Sequence, residues 1–153
     1  YIILLYIIYK EYIVNIIIYG KNNKKGSIMI YIVGVGPGSE DYLTLKAVET
    51  VKNADIIAGS KRLLNLFDIK EGSKYVLTVN LKEELKELFD KKENYANIVI
   101  LSSGDPCFSG LLKTVLNYID KKDIEVISGI SSIQIAASKI KISWEDYDIL
   151  TLH

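Results

Sequence analysis

Cysteine and histidine are nearly missing from this sequence, which has one of each, Cys107 and His153. A single thiol excludes an internal disulfide and leaves a zinc cluster without its usual ligands. One imidazole removes His-rich metal sites and nucleophile–His–acid triads from the candidate chemistries, so no metal site is expected. An excess charge of either sign is also lacking, since 19 basic and 19 acidic residues give a formal net charge of +0. That balance asks for no nucleic-acid partner, and no acidic run forms a solvating tail. Proline and tryptophan are scarce, at two and one residues, whereas Ile, Tyr, Lys and Asn are used heavily. The favoured residues have A/T-rich codons, as expected of an A/T-rich genome. What remains, 153 residues at 49% hydrophobic content, suits one packed α/β domain in a reducing, cytoplasmic setting. It is too short for two domains of ordinary size.

A long uninterrupted hydrophobic run is lacking too. Eleven Ile, Leu or Val residues fall between Ile2 and Ile18, together worth roughly −5 kcal/mol on the membrane-insertion scale. Lys10 near the centre costs about 3 kcal/mol, and Glu11, Asn15 and the tyrosines add to that side. The sum is near or above zero, so no membrane span is expected. A basic n-region and a small-residue cleavage site are both missing, which argues against a secretory signal. Twenty-one of the first 28 residues are Ile, Tyr, Lys or Asn, with no period that suits a helix or a strand throughout. The only methionine, Met29, stands directly before the first clear strand. The expectation is that Met29 is the natural start and that residues 1–28 are an upstream extension outside the fold. A native peptide spanning Ile28 and Met29 in mass spectrometry would contradict it.

From Met29 onward, short apolar runs alternate with helical periods. Residues 30–35 are mostly β-branched and run into a glycine cluster, as a buried parallel strand does. Leu43, Ala47, Val48 and Val51 share one helical face, with Lys46, Glu49 and Lys52 opposite. Residues 55–59 and 75–79 read as the next strands, separated by a helical turn over 60–67. Leu81, Leu85, Leu88 and Phe89 mark an amphipathic helix, and residues 97–102 are the most strand-like stretch of the chain. Leu111, Leu112, Val115, Leu116 and Ile119 predict a helix, residues 124–128 a fifth strand, and Ile130, Ile133, Ala137 and Ile140 a further helix. Residues 148–152 begin one more strand. This alternation predicts right-handed βαβ crossovers and a mostly parallel sheet with helices on both faces. The domain is expected over residues 29–147, with 148–153 opening a linker or second domain.

Ligands of such sheets bind beyond the carboxyl ends of the strands, where three loops stand out. In residues 34–41 the spacing is Gly34-x-Gly36-x-Gly38, not the Gly-x-Gly-x-x-Gly of dinucleotide sites. Ala58-Gly59 stands where a ribose-binding acid would be needed, and Pro37 removes an N–H that a pyrophosphate would use. The loop does offer bare backbone for close approach by a ligand. In residues 102–110, Gly104-Asp105-Pro106 is a turn sequence. The Asp105 carboxylate could pair with an ammonium or sulfonium cation or accept ribose hydroxyls, and Phe108 could pack against a flat ligand. Cys107 has no activating partner and reads as a small loop residue. In residues 128–132, Ser131 and Ser132 reach a helix start. There they serve either as plain N-caps or, with the N–H groups and dipole, as a seat for a carboxylate.

Taken in register over residues 30–153, these features resemble the tetrapyrrole methylase family, also called class III methyltransferases. The resemblance rests on Val33-Gly34-Val35-Gly36-Pro37-Gly38, Leu43-Thr44-Leu45 and Gly104-Asp105-Pro106. The strings at 54–64 and 129–134, with Trp144 and Leu152-His153, look like the branch that methylates C5 of the corrin ring. The resemblance implies methyl transfer from S-adenosyl-L-methionine to a cobalt-precorrin in cobalamin biosynthesis. By family analogy the methyl donor lies near Pro37, Gly104, Asp105, Phe108, Ser131 and Ser132. The loop of Gly34, Gly36 and Gly38 would face the tetrapyrrole. No general base is assigned. A decarboxylating C15-methyltransferase is the implied partner, and the full-length protein is implied to be a homo-oligomer.

Two departures stand out. Ser128 takes the place of the family's proline before Gly-Ile-Ser-Ser, which should loosen that turn. The family also has a second α/β domain, expected beyond His153, and the donor lies between the two domains. The chain as given would then hold about half of the cleft, binding the donor weakly and turning over nothing. Two alternatives are a methylase of the same fold acting on a diphthamide precursor or ribosomal RNA, and a non-catalytic half-domain.

Overall fold

A computed structural model of the chain describes residues 28–145 and 147–149. The expected extension before Ile28, and residues 150–153 with the end of the expected last strand, lie outside the described residues. Five strands form one sheet: β1 (Met29–Gly34), β2 (Ile56–Gly59), β3 (Lys74–Val76), β4 (Asn97–Ser102) and β5 (Ile124–Ile127). Their order is β3-β2-β4-β1-β5, and each of these pairings is parallel. Among the described residues, four α-helices lie between consecutive strands, α1 (Leu45–Lys52), α2 (Lys61–Leu64), α3 (Leu81–Asp90) and α4 (Leu112–Val115), and a fifth, α5 (Ser132–Ile140), follows β5.

The central strands are buried on both faces, which is why their sequences read as continuous apolar runs. Period-two alternation then divides the core in two. Ile30, Ile32, Ile98 and Ile100 face α3 and α4, packing with Leu85, Leu88 and Val115. Val33, Val99 and Leu101 face α1 and α2, packing with Ala47, Val51, Leu63 and Leu64. Each fully buried Val, Leu or Ile contributes about 1.5–3 kcal/mol, so the two clusters hold helices on both faces.

Three elements differ from the sequence expectation. The third strand ends at Val76 and not at 79. Leu77 still donates to the Gly59 carbonyl at 2.8 Å, but the Thr78 N–H turns to the Glu84 carboxylate at 2.6 Å. That contact closes α3 onto the chain and leaves Val79 96% exposed. The helix expected across 111–119 has only four α-helical residues, and Ile119 reaches the core through turns. Leu116, expected in the buried stripe, is exposed instead, as is Tyr118. Asp148 and Ile149 take part in no strand pairing among the described residues.

Candidate functional site

The register sets the site. Gly34 pairs with Ser102, and Val33 with Ile127, so β4, β1 and β5 end side by side and release their loops together. Val35 donates to the Ser102 carbonyl at 3.0 Å, and Gly104 donates to the Gly36 carbonyl at 2.8 Å. The Gly36–Gly104 pair is a short antiparallel bridge that joins the first two loops across the end of the parallel sheet. Gly36 and Gly104 have φ of +66° and +67°, the left-handed region that side chains disfavour.

At Gly34 the structure corrects the sequence reading. A Cβ there would stand 2.5 Å from the Gly129 nitrogen and 2.7 Å from the Gly104 carbonyl oxygen. The space is filled by protein backbone, so Gly34 lets three loops touch and does not clear a path for a ligand. Gly36 is likewise backed by Tyr42, with its Cβ position 3.2 Å away. Gly104 is different. A Cβ built on it would meet only Ser131 Cα, at 3.8 Å, so the open approach expected along residues 34–38 exists at Gly104.

Asp105 crosses the site. Its Oδ1 accepts from the Cys107 N–H at 2.8 Å, and its Oδ2 accepts from the Gly129 N–H at 3.1 Å. The first bond closes a turn within its own loop, and the second ties that loop to the one after β5. Each oxygen keeps a second lone pair, but the carboxylate is anchored and not a free counter-ion. Pro106 behind it is buried, and Phe108 in front is 41% exposed. The lone thiol of Cys107 is pushed above its ordinary pKa by partial burial and then by the Asp105 charge. It is held in the unreactive thiol form.

The third loop delivers α5. Ser131 is nearly buried and forms a capping box: its Oγ accepts from the Gln134 N–H at 3.3 Å, and its own N–H donates to Gln134 Oε1 at 2.7 Å. Ser132 is exposed at the first helical position. The cap takes the Gln134 N–H, but the Ser132 and Ile133 N–H groups have no intrahelical acceptor, and the helix dipole adds positive character there. The helix start therefore presents hydroxyl and amide donors beside Gly104, as a carboxylate would require.

Sequence reasoning missed one member of the cluster. Arg62 of α2 donates from Nη1 to the Pro37 carbonyl at 3.0 Å, and its Nη2 lies 3.5 Å from Ser103 Oγ. It fixes Pro37 and packs against Gly38, whose φ of +110° also demands glycine. The string at 54–64 carries Arg62, but a contact 25 residues back along the chain leaves no local signal. By contrast, Gln134 three residues after Ser131 is a legible capping pattern. The structure thus gathers Gly34, Gly36, Pro37, Gly38, Gly104, Asp105, Ser131 and Ser132 at one end of the sheet, with Phe108 exposed on the same loop as Asp105.

Among the described residues, no helix is long and apolar enough to cross a membrane. Residues 29–153 match the family of Tetrapyrrole (Corrin/Porphyrin) Methylases, and the chain belongs to that family. Within it, the chain is similar to the probable cobalt-precorrin-7 C(5)-methyltransferase of Methanocaldococcus jannaschii. The two are 67% identical over 128 residues, which is 82% of this chain and 60% of that protein. The crystal structure of precorrin-6Y methylase from Archaeoglobus fulgidus superposes with a TM-score of 0.64 at 27% identity. It covers 75% of this chain and 59% of that one. Uroporphyrin-III C-methyltransferase from Thermus thermophilus, solved in complex with S-adenyl homocysteine, has a TM-score of 0.58 at 27% identity. It covers 71% of this chain and 48% of that one. The chain spans about three-fifths of the length of the curated relatives it matches.

Proposed function

We propose that the polypeptide to which this chain belongs transfers a methyl group from S-adenosyl-L-methionine to C5 of a cobalt-precorrin on the route to cobalamin. The observation that carries this reading is the 67% identity to the C(5)-methyltransferase relative. The proposed domain arrangement is that residues 29–147 are the N-terminal domain of a two-domain enzyme. Residues 148–153 then lead toward a second domain that completes the cleft.

The donor set supports a methyl-donor site. S-adenosyl-L-methionine brings an amino-acid carboxylate, a ribose and a flat base, and supplies an electrophilic methyl group on sulfur. The Ser131 and Ser132 hydroxyls and the Ser132 and Ile133 N–H groups at the start of α5 suit the carboxylate. The exposed ring of Phe108 suits a flat base, and Gly104 leaves room between them. Asp105 holds the loops after β4 and β5 at a fixed separation, Pro37 lies beside the methyl donor, and the glycine loop around it forms the wall toward the tetrapyrrole. In this reading the chain's residues orient the reactants and exclude water, and rate comes from positioning.

The test is a methylation assay on the natural-length polypeptide with isotopically labelled methyl donor. Cobalt-precorrins, a diphthamide precursor and ribosomal RNA are offered in parallel. Label is expected on the cobalt-precorrin alone, at C5 by NMR. Label on either of the other substrates, with none on the tetrapyrrole, overturns the reading.

A further inference from the structure

Arg62 is a cation at the loop cluster whose charge the methyl-donor reading leaves unused. It projects from a four-residue helix pinned to the core by Leu63 and Leu64, which are 4% and 2% exposed. Leu63 and Leu64 donate to the Ser60 carbonyl at 2.9 and 3.0 Å, so the turn that carries the guanidinium is rigid. From there Arg62 spans the carboxyl edge of the sheet, reaching the loop after β1 at Pro37 and the loop after β4 at Ser103. Both partners are neutral. Among the described residues no carboxylate pairs with Arg62: the ion pairs are Lys74–Glu71, Lys91–Glu87 and Lys122–Asp120. A guanidinium has five N–H donors in a planar fork. Two are committed here to neutral partners, so the exposed guanidinium keeps its full positive charge with three donors left over.

We propose that Arg62 is a substrate-positioning residue that binds a peripheral carboxylate of the tetrapyrrole. The inference rests on the function proposed above. Precorrins carry acetate and propionate groups around the ring, and a planar guanidinium is the side chain best shaped to take a carboxylate. Using its Nη1 hydrogen bond to hold Pro37, Arg62 couples ring binding to the shape of the wall against which the ring lies. Gly38 belongs to the same device, because a Cβ there would collide with the Arg62 guanidinium.

The experiment compares wild type, Arg62→Met and Arg62→Lys in the natural-length polypeptide. It measures kcat and KM for the cobalt-precorrin at low and high salt, and the Kd for S-adenosylhomocysteine by calorimetry. Arg62→Met is expected to raise the tetrapyrrole KM roughly tenfold to a hundredfold, the loss of one charge-assisted pair. Its Kd for S-adenosylhomocysteine should change less than about threefold. Arg62→Lys should recover part of the KM, and the wild-type advantage should shrink at high salt. An unchanged KM in both variants overturns the proposal. A weakened S-adenosylhomocysteine affinity with normal KM also overturns it, placing Arg62 on the donor side. Should Arg62→Met not fold, the salt-dependent KM of Arg62→Lys decides by the same criterion. A wild-type protein that methylates no tetrapyrrole instead refutes the parent reading, and this proposal falls with it.

Discussion

Gly34 and Asp105 both hold the three loops together, by opposite means. Gly34 works by having no side chain: a Cβ would push directly into the Gly129 and Gly104 backbones, neither of which can rotate away. Gly34→Ala is therefore expected to destabilise the fold by about 2–3 kcal/mol, read from urea unfolding. Gly72 has nothing within 4 Å of its Cβ position, and Gly72→Ala should be neutral or stabilising by about 0.5 kcal/mol. Equal effects at the two positions would show that loop contact is not the reason for glycine at 34. Asp105 works by bonding. In Asp105→Asn one oxygen becomes an NH2 group facing a backbone N–H, and the expected cost is about 1–3 kcal/mol. Hydrogen exchange should report it locally, as faster exchange of the Cys107 or Gly129 amide.

At the scale of elements, α5 depends on its cap more than on its burial. Ala137 is its only buried residue, and Ile140 on its apolar stripe is 65% exposed. With so little core contact, the Ser131–Gln134 box supplies a larger share of the helix's stability. Ser131→Ala should lower stability by about 1 kcal/mol, seen as a drop in Tm, and Gln134→Ala should lower it by less. The edge pairing of β1 with β5 has its own signature. Tyr31 stands opposite Glu125, and partial burial, then that carboxylate, raises its phenol above the ordinary 10.0. Below about pH 10 both folded and unfolded chains keep the phenolic proton, and the contribution is constant. Above it the unfolded chain releases the proton first, so stability falls as pH rises. Tyr31→Phe should flatten that alkaline decline in urea midpoints measured between about pH 8 and pH 10.5.

For the whole molecule, one run of exposed apolar side chains follows α5. Ile142, Trp144, Tyr147 and Ile149 are between 39% and 63% exposed, a density of large apolar groups that water disfavours. The chain also spans only about three-fifths of its curated relatives' length. On the proposed two-domain arrangement, this segment leads into the remainder of the polypeptide and the donor site is shared. Residues 1–153 alone should then bind S-adenosylhomocysteine at least about tenfold more weakly than the natural-length protein. Calorimetry on both forms checks this, and equal affinities would place the whole donor site within the present chain.

The order of elements, the parallel sheet and its two-sided cover were legible in the sequence, because apolar periodicity is set by which face of each residue must leave water. The runs at 30–35 and 97–102 had to be central strands, and Leu81, Leu85, Leu88 and Phe89 had to be one buried helix face. The candidate loops were legible too, since their glycines, prolines and serines fall where strands end. Only the tertiary structure decided how those residues are used. Gly34 proved to serve loop contact, Asp105 proved to be a tether, and Arg62 joined the site from 25 residues away. Those roles depend on which strands are neighbours: the order β3-β2-β4-β1-β5 brings together loops that are distant in sequence. Local pattern records burial, but hydrogen bonds between loops leave no period to read.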